Sequence, residues 1–381
     1  MSTFGIVCEF NPLHNGHKRL IDEARRLGAD SIVCVMSGNA VQRGELAVTD
    51  KYTRAKAAVL VGADLVLELP YPWCASSAEY FSTAGIEILS HFCDSVIFGS
   101  ECGDINLLRR AAEAASSEAF KAEFDKKTEQ GEGAAKAYFS LLERYTGVSL
   151  SSNDLLGIEY IRTAMEKRFN IKFYTVKREG AGYNESTLSI GQNPSATAIR
   201  RAWREGTDVD SYLPKEAAEV FAGAERTDSE IISRAVMMYF RLADAKNFDN
   251  IAEAEGGIAN RIVSAAKSAD SPNSFFDMLR TKRYTDAKLR RSMLFCMTGV
   301  TKELLKQSPE YITLLGASDK GRELLSKARK DESINIVTKP ADAPRESEQF
   351  RAGEKLECIF TLSYGNSTDV GESYRKNAFI K

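Results

Sequence analysis

Short apolar runs and amphipathic segments alternate along the first hundred residues of the chain. The apolar runs are the length of strands buried on both faces, and they cover residues 4–8, 31–36, 64–69 and 94–100. The segments between them place apolar residues on one helix face, which predicts helices near residues 20–27, 52–61 and 78–89. Gly28 is expected to end the first helix, and Pro70 is expected to end the third strand.

This alternation predicts an α/β fold with a Rossmann-like (HUP-type) parallel sheet, flanking helices and right-handed crossovers. A β-rich stretch at 171–176 adds a fifth strand. Ligands of such sheets bind beyond the carboxyl ends of the strands. We therefore expect the site among residues 9–17, 37–44 and 99–101.

The chain divides into two predicted domains. Residues 1–214 form the sheet domain, with an Ala-, Lys- and Glu-rich helical insertion at about 104–145. Beyond Pro214 the sheet signals fade, and residues 215–381 are predicted to be mainly helical. Helices are expected at 229–243 and 251–266 and short strands at 334–337 and 356–362.

Composition narrows the class of protein. The 381 residues are 43% hydrophobic with a net charge of −2, so a nucleic-acid surface would have to be a local patch. No apolar stretch reaches the length of a membrane span, and no signal-peptide pattern is present. Seven scattered cysteines without CxxC pairs favour a reducing compartment, so we expect a cytoplasmic protein without a metal site, a disulfide framework or membrane attachment.

The strongest motif is His14-Asn-Gly-His17, between the first strand and the first helix. A helix N-terminus presents free N–H groups to a phosphate, and Gly16 allows close approach of the backbone. The spacing resembles the nucleotide motif of the nucleotidyltransferase and class I synthetase superfamily. Taken alone, the two histidines are also consistent with a metal pair or with helix capping.

Other polar residues follow predicted strand ends or open helices. Arg178 and Arg200 have planar guanidinium groups suited to phosphate oxygens, and Ser195 and Thr197 add hydroxyl groups at a helix start. Surface ion pairs are the alternative for both arginines. Asn153 is explained equally well by a helix N-cap and by a ligand contact.

Residues 280–291 hold the strongest basic cluster, with six Lys or Arg and one acid, Asp286. Leu289, Met293 and Met297 predict a helix with a buried stripe, and Arg290 and Arg291 lie off it. One interpretation is a solvated face with an Asp286–Arg290 pair. The other is contact with a nucleic-acid backbone.

Nine segments together resemble the bacterial tRNA(Met) cytidine acetate ligase family. They extend from residue 5 to residue 316 and so cover most of the chain. They are residues 5–17 (GIVCEFNPLHNGH), 35–39, 42–44, 64–70, 98–101, 178–183, 195–200, 281–285 and 314–316.

The resemblance implies an activity and a set of contacts. Members of the family activate acetate with ATP to acetyl-adenylate and pyrophosphate. They then acetylate N4 of the wobble cytidine in the anticodon loop of elongator tRNA(Met). ATP is thus the implied cofactor, with Mg²⁺, and tRNA and acetate are the partners; no protein partner is inferred.

Attack on the α-phosphate of ATP passes through a negatively charged phosphorus centre, and imidazole N–H groups suit its stabilisation, so we expect His14 and His17 to be the catalytic residues. The ATP contacts that the resemblance implies are Val7, Cys8, Glu9, Phe10, Asn11, Pro12, Leu13, His14, Asn15, Gly16, His17, Lys18, Arg19, Leu20, Gly99, Asn153 and Arg178. Further phosphate contacts are expected at Ser195, Thr197 and Arg200. The implied tRNA contacts are Lys282, Arg283, Arg290 and Arg291.

Two other functions share parts of this pattern. An adenylyltransferase of a small phosphorylated metabolite has the histidine motif but does not need residues 215–381. A non-catalytic protein that binds ATP and tRNA also fits the motif and the basic cluster.

Overall fold

The computed structural model describes residues 2–178, 194–330, 334–366 and 369–381. Its centre is an eight-stranded sheet. The strands are β1 (Thr3–Cys8), β2 (Ser31–Ser37), β3 (Leu65–Leu69), β4 (Ser95–Ser100), β5 (Lys172–Lys177), β6 (Ile312–Ala317), β7 (Ile336–Val337) and β8 (Phe379–Ile380).

The order of the strands creates a switch point beside β1. The order is β5-β4-β1-β2-β3-β6-β7, and β8 also pairs with β6. β1 is parallel to both β2 and β4, so the chain runs outward through β2 and β3 and then returns to the other side of β1. A crevice at the carboxyl ends of β1 and β4 is the expected ligand position in such a sheet.

Helices cover both faces of the sheet, which explains the uninterrupted apolar runs. All seven residues of β2 are buried. Val33 and Val35 belong to the core on one face, whereas Ile32, Cys34 and Met36 belong to the core on the other. A parallel strand buried on both sides has this pattern.

The helices that flank the sheet agree with the predicted segments in number and position. Near the nucleotide motif they are α1 (Asn15–Arg26), α2 (Lys51–Val61) and α3 (Ala78–Ser90). The predicted helical stretch at 104–145 contains α4 (Ile105–Ser116), α5 (Glu118–Glu129) and α6 (Ala134–Thr146), and it is followed by α7 (Ser152–Lys167).

The rest of the chain is mostly helical. Its helices are α8 (Ala196–Arg204), α9 (Lys215–Ala222), α10 (Ser229–Leu242), α11 (Ile258–Ser268), α12 (Pro272–Leu279), α13 (Asp286–Thr298), α14 (Lys302–Lys306), α15 (Asp319–Ala328), α16 (Glu348–Thr361) and α17 (Glu372–Arg375). In the described part of the chain, no helix has the length and apolarity needed to cross a membrane.

Two expectations for the second half of the chain were wrong. Residues 356–361 end helix α16 and do not form a strand; Leu356 and Phe360, four apart, are both buried. The helix expected from residue 251 begins only at Ile258. Short apolar runs fit either a strand or a buried helix, so their period alone does not decide between them.

The sheet is also not wholly parallel. β6, which the sequence pattern missed, joins β3 antiparallel, with Leu65 opposite Ala317. An antiparallel edge on an otherwise parallel sheet is common in α/β proteins. The sheet thus includes strands from residues 312–380, and the division into domains at residue 214 stays a prediction.

Candidate nucleotide-binding site

A cavity of about 170 Å³ opens at the carboxyl ends of β1 and β4, at the switch point. It brings together predicted site residues from five separate parts of the chain. They are Val7, Cys8, Glu9, Phe10, Asn11, His14, His17, Leu20, Gly99, Asn153, Arg178, Ser195, Thr197 and Arg200. Pro12, Leu13, Asn15, Gly16, Lys18 and Arg19, also predicted as ATP contacts, are not among the residues that line it.

The two histidines both cap helix α1 and line the cavity. Nδ1 of His14 accepts a hydrogen bond from the Gly16 N–H at 3.0 Å, and Nδ1 of His17 accepts one from the His14 N–H at 3.2 Å. Their ring centroids are 3.9 Å apart. Because each Nδ1 is an acceptor, the proton of each neutral ring is on Nε2, which is left as a donor.

Both imidazoles are held in the neutral form. Burial lowers the pKa of His14 to about 3, and the charges of Arg178 and Arg200 add to this effect. Burial, followed by His14 and Arg178, also lowers the pKa of His17 well below its usual value. At neutral pH the pair therefore supplies hydrogen-bond donors for an anion and not a general base.

Asn153 lies in the first turn of α7 and is not the N-cap, which is Ser151. Its Nδ2 donates to Oε1 of Glu101 at 2.5 Å, and Ser151 Oγ donates to the other oxygen of the same carboxylate. Nε of Arg178 lies 3.8 Å from Glu101 Oε1. Glu101 thus links two of the predicted ATP contacts, Asn153 and Arg178.

The side chain of Arg178 packs directly over Gly99, on the neighbouring strand. The Arg178 N–H donates to the carbonyl of Ser100 at 2.9 Å, which continues the pairing of β5 with β4. A Cβ atom on Gly99 would lie 3.3 Å from Cγ of Arg178. The small residue is therefore needed for the arginine to reach this position. The remainder of the predicted loop, residues 179–183, lies outside the described residues.

Helix α8 brings the expected hydroxyl and guanidinium groups to the cavity. Ser195 is its N-cap and accepts from the Ala198 N–H. Arg200 donates to the carbonyl of Asn11 at 2.8 Å and to Thr197 Oγ1 at 3.3 Å. The helix is thereby attached to the loop that precedes the histidine pair.

One supporting residue was missed by the sequence analysis. Arg54 of α2 is fully buried, and its guanidinium donates to the carbonyls of Glu9 at 2.7 Å, Ser37 at 3.0 Å and Thr49 at 3.0 Å. It thus joins the carboxyl ends of β1 and β2 below the cavity. The sequence signal that could have identified Arg54 is its position as a single charge within an otherwise apolar face of α2.

The residues of the basic cluster at 280–291 differ from one another in their exposure and in their ion-pair partners. Asp286 pairs with Arg280, not with Arg290, so the expected pair within the helix is wrong. Arg290 instead reaches Glu45 at 3.1 Å, on the loop that lines the nucleotide cavity. Lys282 and Arg283 are exposed.

Arg291 differs from its neighbours because it is only 8% exposed. Its guanidinium binds the carboxylate of Glu253 at 2.8 Å, and a Cβ on Gly44 would lie 2.5 Å from its main-chain nitrogen. α13 is therefore packed tightly against the loop of residues 41–45. This geometry favours a supporting role for Arg291 over direct contact with a nucleic acid.

Comparisons with known proteins agree with the geometry of the site. The HIGH Nucleotidyl Transferase family model matches residues 1–373. The tRNA(Met) cytidine acetate ligase of Clostridium perfringens is 34% identical over 91% of this chain and 92% of its own length. That of Acetivibrio thermocellus is 34% identical over the whole of both chains.

Two solved structures have a fold that matches this chain over its whole length. The apo crystal structure of Thermotoga maritima TmcAL matches with a TM-score of 0.91 at 30% identity, covering 100% of this chain and 99% of that one. The structure of the same protein bound with alpha-thio ATP matches with a TM-score of 0.87 and the same coverage. The chain therefore belongs to the HIGH nucleotidyl transferase family and, within it, to the tRNA(Met) cytidine acetate ligases.

Proposed function

We propose that this protein is an ATP-dependent ligase that converts acetate to acetyl-adenylate and then acetylates N4 of the wobble cytidine of elongator tRNA(Met). The observation that carries the proposal is the cavity at the switch point, where two neutral histidine donors lie with Arg178 and Arg200. The near full-length similarity to curated ligases supports the choice of acetate and tRNA. Because the substrate is a tRNA, the proposed place of action is the cytoplasm.

The first step needs charge stabilisation more than proton transfer. Acetate is already ionised at neutral pH, so it attacks the α-phosphorus of ATP without a base, and pyrophosphate leaves. Negative charge develops on the phosphate oxygens, where preorganised donors are most effective. We assign this role to Nε2 of His14 and His17, with the two arginines as the partners of the phosphate groups.

Mg²⁺ is proposed as an ion carried by the phosphates of ATP. Within the described ranges there is no group of three or more His, Cys, Asp or Glu side chains that could hold a metal. Mg²⁺ is commonly bound by substrate phosphates and waters with only one or two carboxylates, so the chemistry of this cavity is compatible with it. Glu9 and Glu45 are the carboxylates that line the cavity in the described part of the chain.

The proposed tRNA surface is the exposed part of the basic cluster. Lys282 and Arg283 are exposed, and the Arg283 guanidinium lies 5.4 Å from the ring centre of Tyr284. Arg290 connects this surface to the nucleotide cavity through Glu45. An unpaired anticodon base can be turned into a pocket at modest cost, which suits transfer to a wobble cytidine.

Acetate-dependent exchange of pyrophosphate into ATP tests the first step, and mass analysis of tRNA nucleosides after incubation with ATP and acetate tests the second. We expect both exchange and N4-acetylcytidine. Exchange with a phosphorylated metabolite but not with acetate would favour a metabolite adenylyltransferase. Binding of ATP and tRNA without any exchange would favour a non-catalytic binding protein.

A further inference from the structure

Acetyl transfer to cytidine requires a proton acceptor, and this requirement rests on the function proposed above. The N4 nitrogen forms a bond to the acetyl carbonyl carbon, and the bond from that carbon to the AMP phosphate oxygen breaks. AMP leaves with the electron pair as a phosphate. The nitrogen then carries one proton too many, which must pass to a base.

Most polar groups of the cavity are unsuited to accept this proton. His14 and His17 use Nδ1 as an acceptor from the backbone and present Nε2–H. Burial raises the pKa of the Cys8 thiol and of the Tyr160 hydroxyl, so both keep their own protons at neutral pH.

The two carboxylates of the described cavity lining differ in their partners. Glu45 is paired through Oε1 with Arg290 at 3.1 Å and through Oε2 with Arg200 at 3.5 Å. Among the residues that the structure describes, the Glu9 side chain has one hydrogen bond, from the Gln42 N–H to Oε1 at 2.8 Å. Its Oε2 has no hydrogen bond or ion pair to the described residues. Glu9 therefore has an oxygen available to a ligand.

Glu9 is also held rigidly at the end of β1. Its carbonyl accepts from the buried Arg54 at 2.7 Å, and its side chain is anchored by the loop at Gln42. It comes five residues before His14, in the same strand–loop–helix, and both line the same cavity. The carboxylate of Glu9 therefore lines the same ligand cavity as the two histidine donors.

We propose that Glu9 accepts a hydrogen bond from the N4 amino group of the target cytidine and then takes the proton released in acetyl transfer. Glu and Asp are the side chains that accept from cytosine N4, whereas uridine presents a carbonyl oxygen at the same place and would be repelled. Glu9 thereby selects cytidine over uridine as well as serving as the base.

The electrostatic surroundings of Glu9 agree with this role. Burial is the main cause of a raised pKa at Glu9, and the negative charge of Glu45 raises the pKa further. The hydrogen bond from the Gln42 N–H and the charges of Arg200 and Arg43 lower it, but the net shift is upward. A carboxylate with a raised pKa is a stronger proton acceptor than an ordinary one and is better matched to work near neutral pH.

The test is Glu9→Gln in the full-length protein. The amide oxygen can still accept from the Gln42 N–H, so the loop keeps its anchor. We expect single-turnover acetyl transfer from preformed acetyl-adenylate to tRNA to fall at least about 100-fold, and to fall at least about tenfold more than acetate-dependent exchange, which is measured in parallel because Glu9 lines the ATP cavity. Glu9→Asp should recover part of the transfer rate. Glu23→Gln removes one carboxylate from α1 outside the cavity and should change neither rate.

The pH profile separates a base from a merely structural carboxylate. Transfer by the unmodified protein should slow as the pH falls through the raised pKa of Glu9, and this limb should be missing from the residual activity of Glu9→Gln. Transfer by Glu9→Gln at the normal rate would overturn the assignment, and so would an equal loss of exchange and transfer. If the unmodified protein makes no N4-acetylcytidine, the proposed function itself fails and the assignment fails with it.

Discussion

Asp154 offers a sharp test of how the nucleotide site is held together. The side chain is 1% exposed and lies at the start of α7, beside Asn153. Its Oδ1 accepts from Ser100 Oγ at 2.7 Å and from the Cys102 N–H at 3.1 Å, and Oδ2 accepts from the Ser151 N–H at 2.9 Å; Ser151 Oγ, whose proton goes to Glu101, also lies 2.9 Å from Oδ2. One carboxylate therefore joins the end of β4 to the first turn of α7.

The substitution Asp154→Asn keeps the shape and removes the charge. The amide oxygen can serve one pair of donors, but the amide NH₂ then faces the Ser151 N–H, and that hydrogen bond is lost. A hydrogen bond to a charged group is worth about 1.5–3 kcal/mol, and neutral bonds are about half as strong. The neutral amide costs less to bury, which offsets part of this loss. We expect the free energy of unfolding to fall by about 2–3 kcal/mol.

Denaturant unfolding of the two proteins measures the loss, and ATP titration measures its effect on the site. Asp104→Asn is the matched control, because Asp104 is an exposed N-cap that accepts from two backbone N–H groups. Asn caps helices as well as Asp does, so this variant should lose less than about 0.5 kcal/mol. Affinity for ATP should fall only in Asp154→Asn, where Asn153 is displaced.

The effect of pH provides a second check. Burial alone raises the pKa of Asp154, but the hydrogen bonds from Ser100, Ser151 and Cys102 outweigh it and hold the pKa below its usual 3.8. The stability that this carboxylate contributes is therefore present above pH 3.8 and is lost as the pH falls through the lower folded pKa. The difference between the unmodified protein and Asp154→Asn should narrow below about pH 4. An unfolding free energy equal to that of Asp104→Asn at pH 7 would refute the reasoning.

Further predictions concern the histidine pair and the basic cluster. His17→Ala should reduce acetate-dependent exchange at least about 100-fold, because it removes a donor to the reacting phosphate, and tRNA affinity should be nearly unchanged. A variant with full exchange would contradict this role. Lys282→Ala combined with Arg283→Ala should weaken tRNA binding and reduce the slope of log K against log salt by about 1.5, whereas unchanged binding would make both residues part of a solvated face. Arg291→Ala should instead destabilise the protein by about 3 kcal/mol in denaturant unfolding, because it leaves Glu253 without its partner.

The nucleotide half of the site was readable from the sequence because its signals are local. The first strand, the histidine motif and the first helix are consecutive, and each is specified by residues within a few positions of one another. β2 to β4 were likewise predicted, because strands buried on both faces have uninterrupted apolar runs, and β5 was predicted from its β-rich sequence. Parallel topology then directs the ends of these strands to one edge of the sheet, where the cavity lies.

The tertiary structure decided everything that depends on distant partners. Glu101 meets Asn153 across 52 residues, and Arg291 meets Glu253 across 38. Neither pairing has a local signal, since a carboxylate or a guanidinium on its own fits an exposed surface equally well. β6 has the same ambiguity, because a short apolar run becomes a strand only when an open sheet edge is available to pair with it. The sequence alone thus specified the nucleotide motif and the parallel strands, whereas chain folding selected the partners of Glu101 and Arg291, the antiparallel edge and the Glu9 oxygen that has no partner among the described residues.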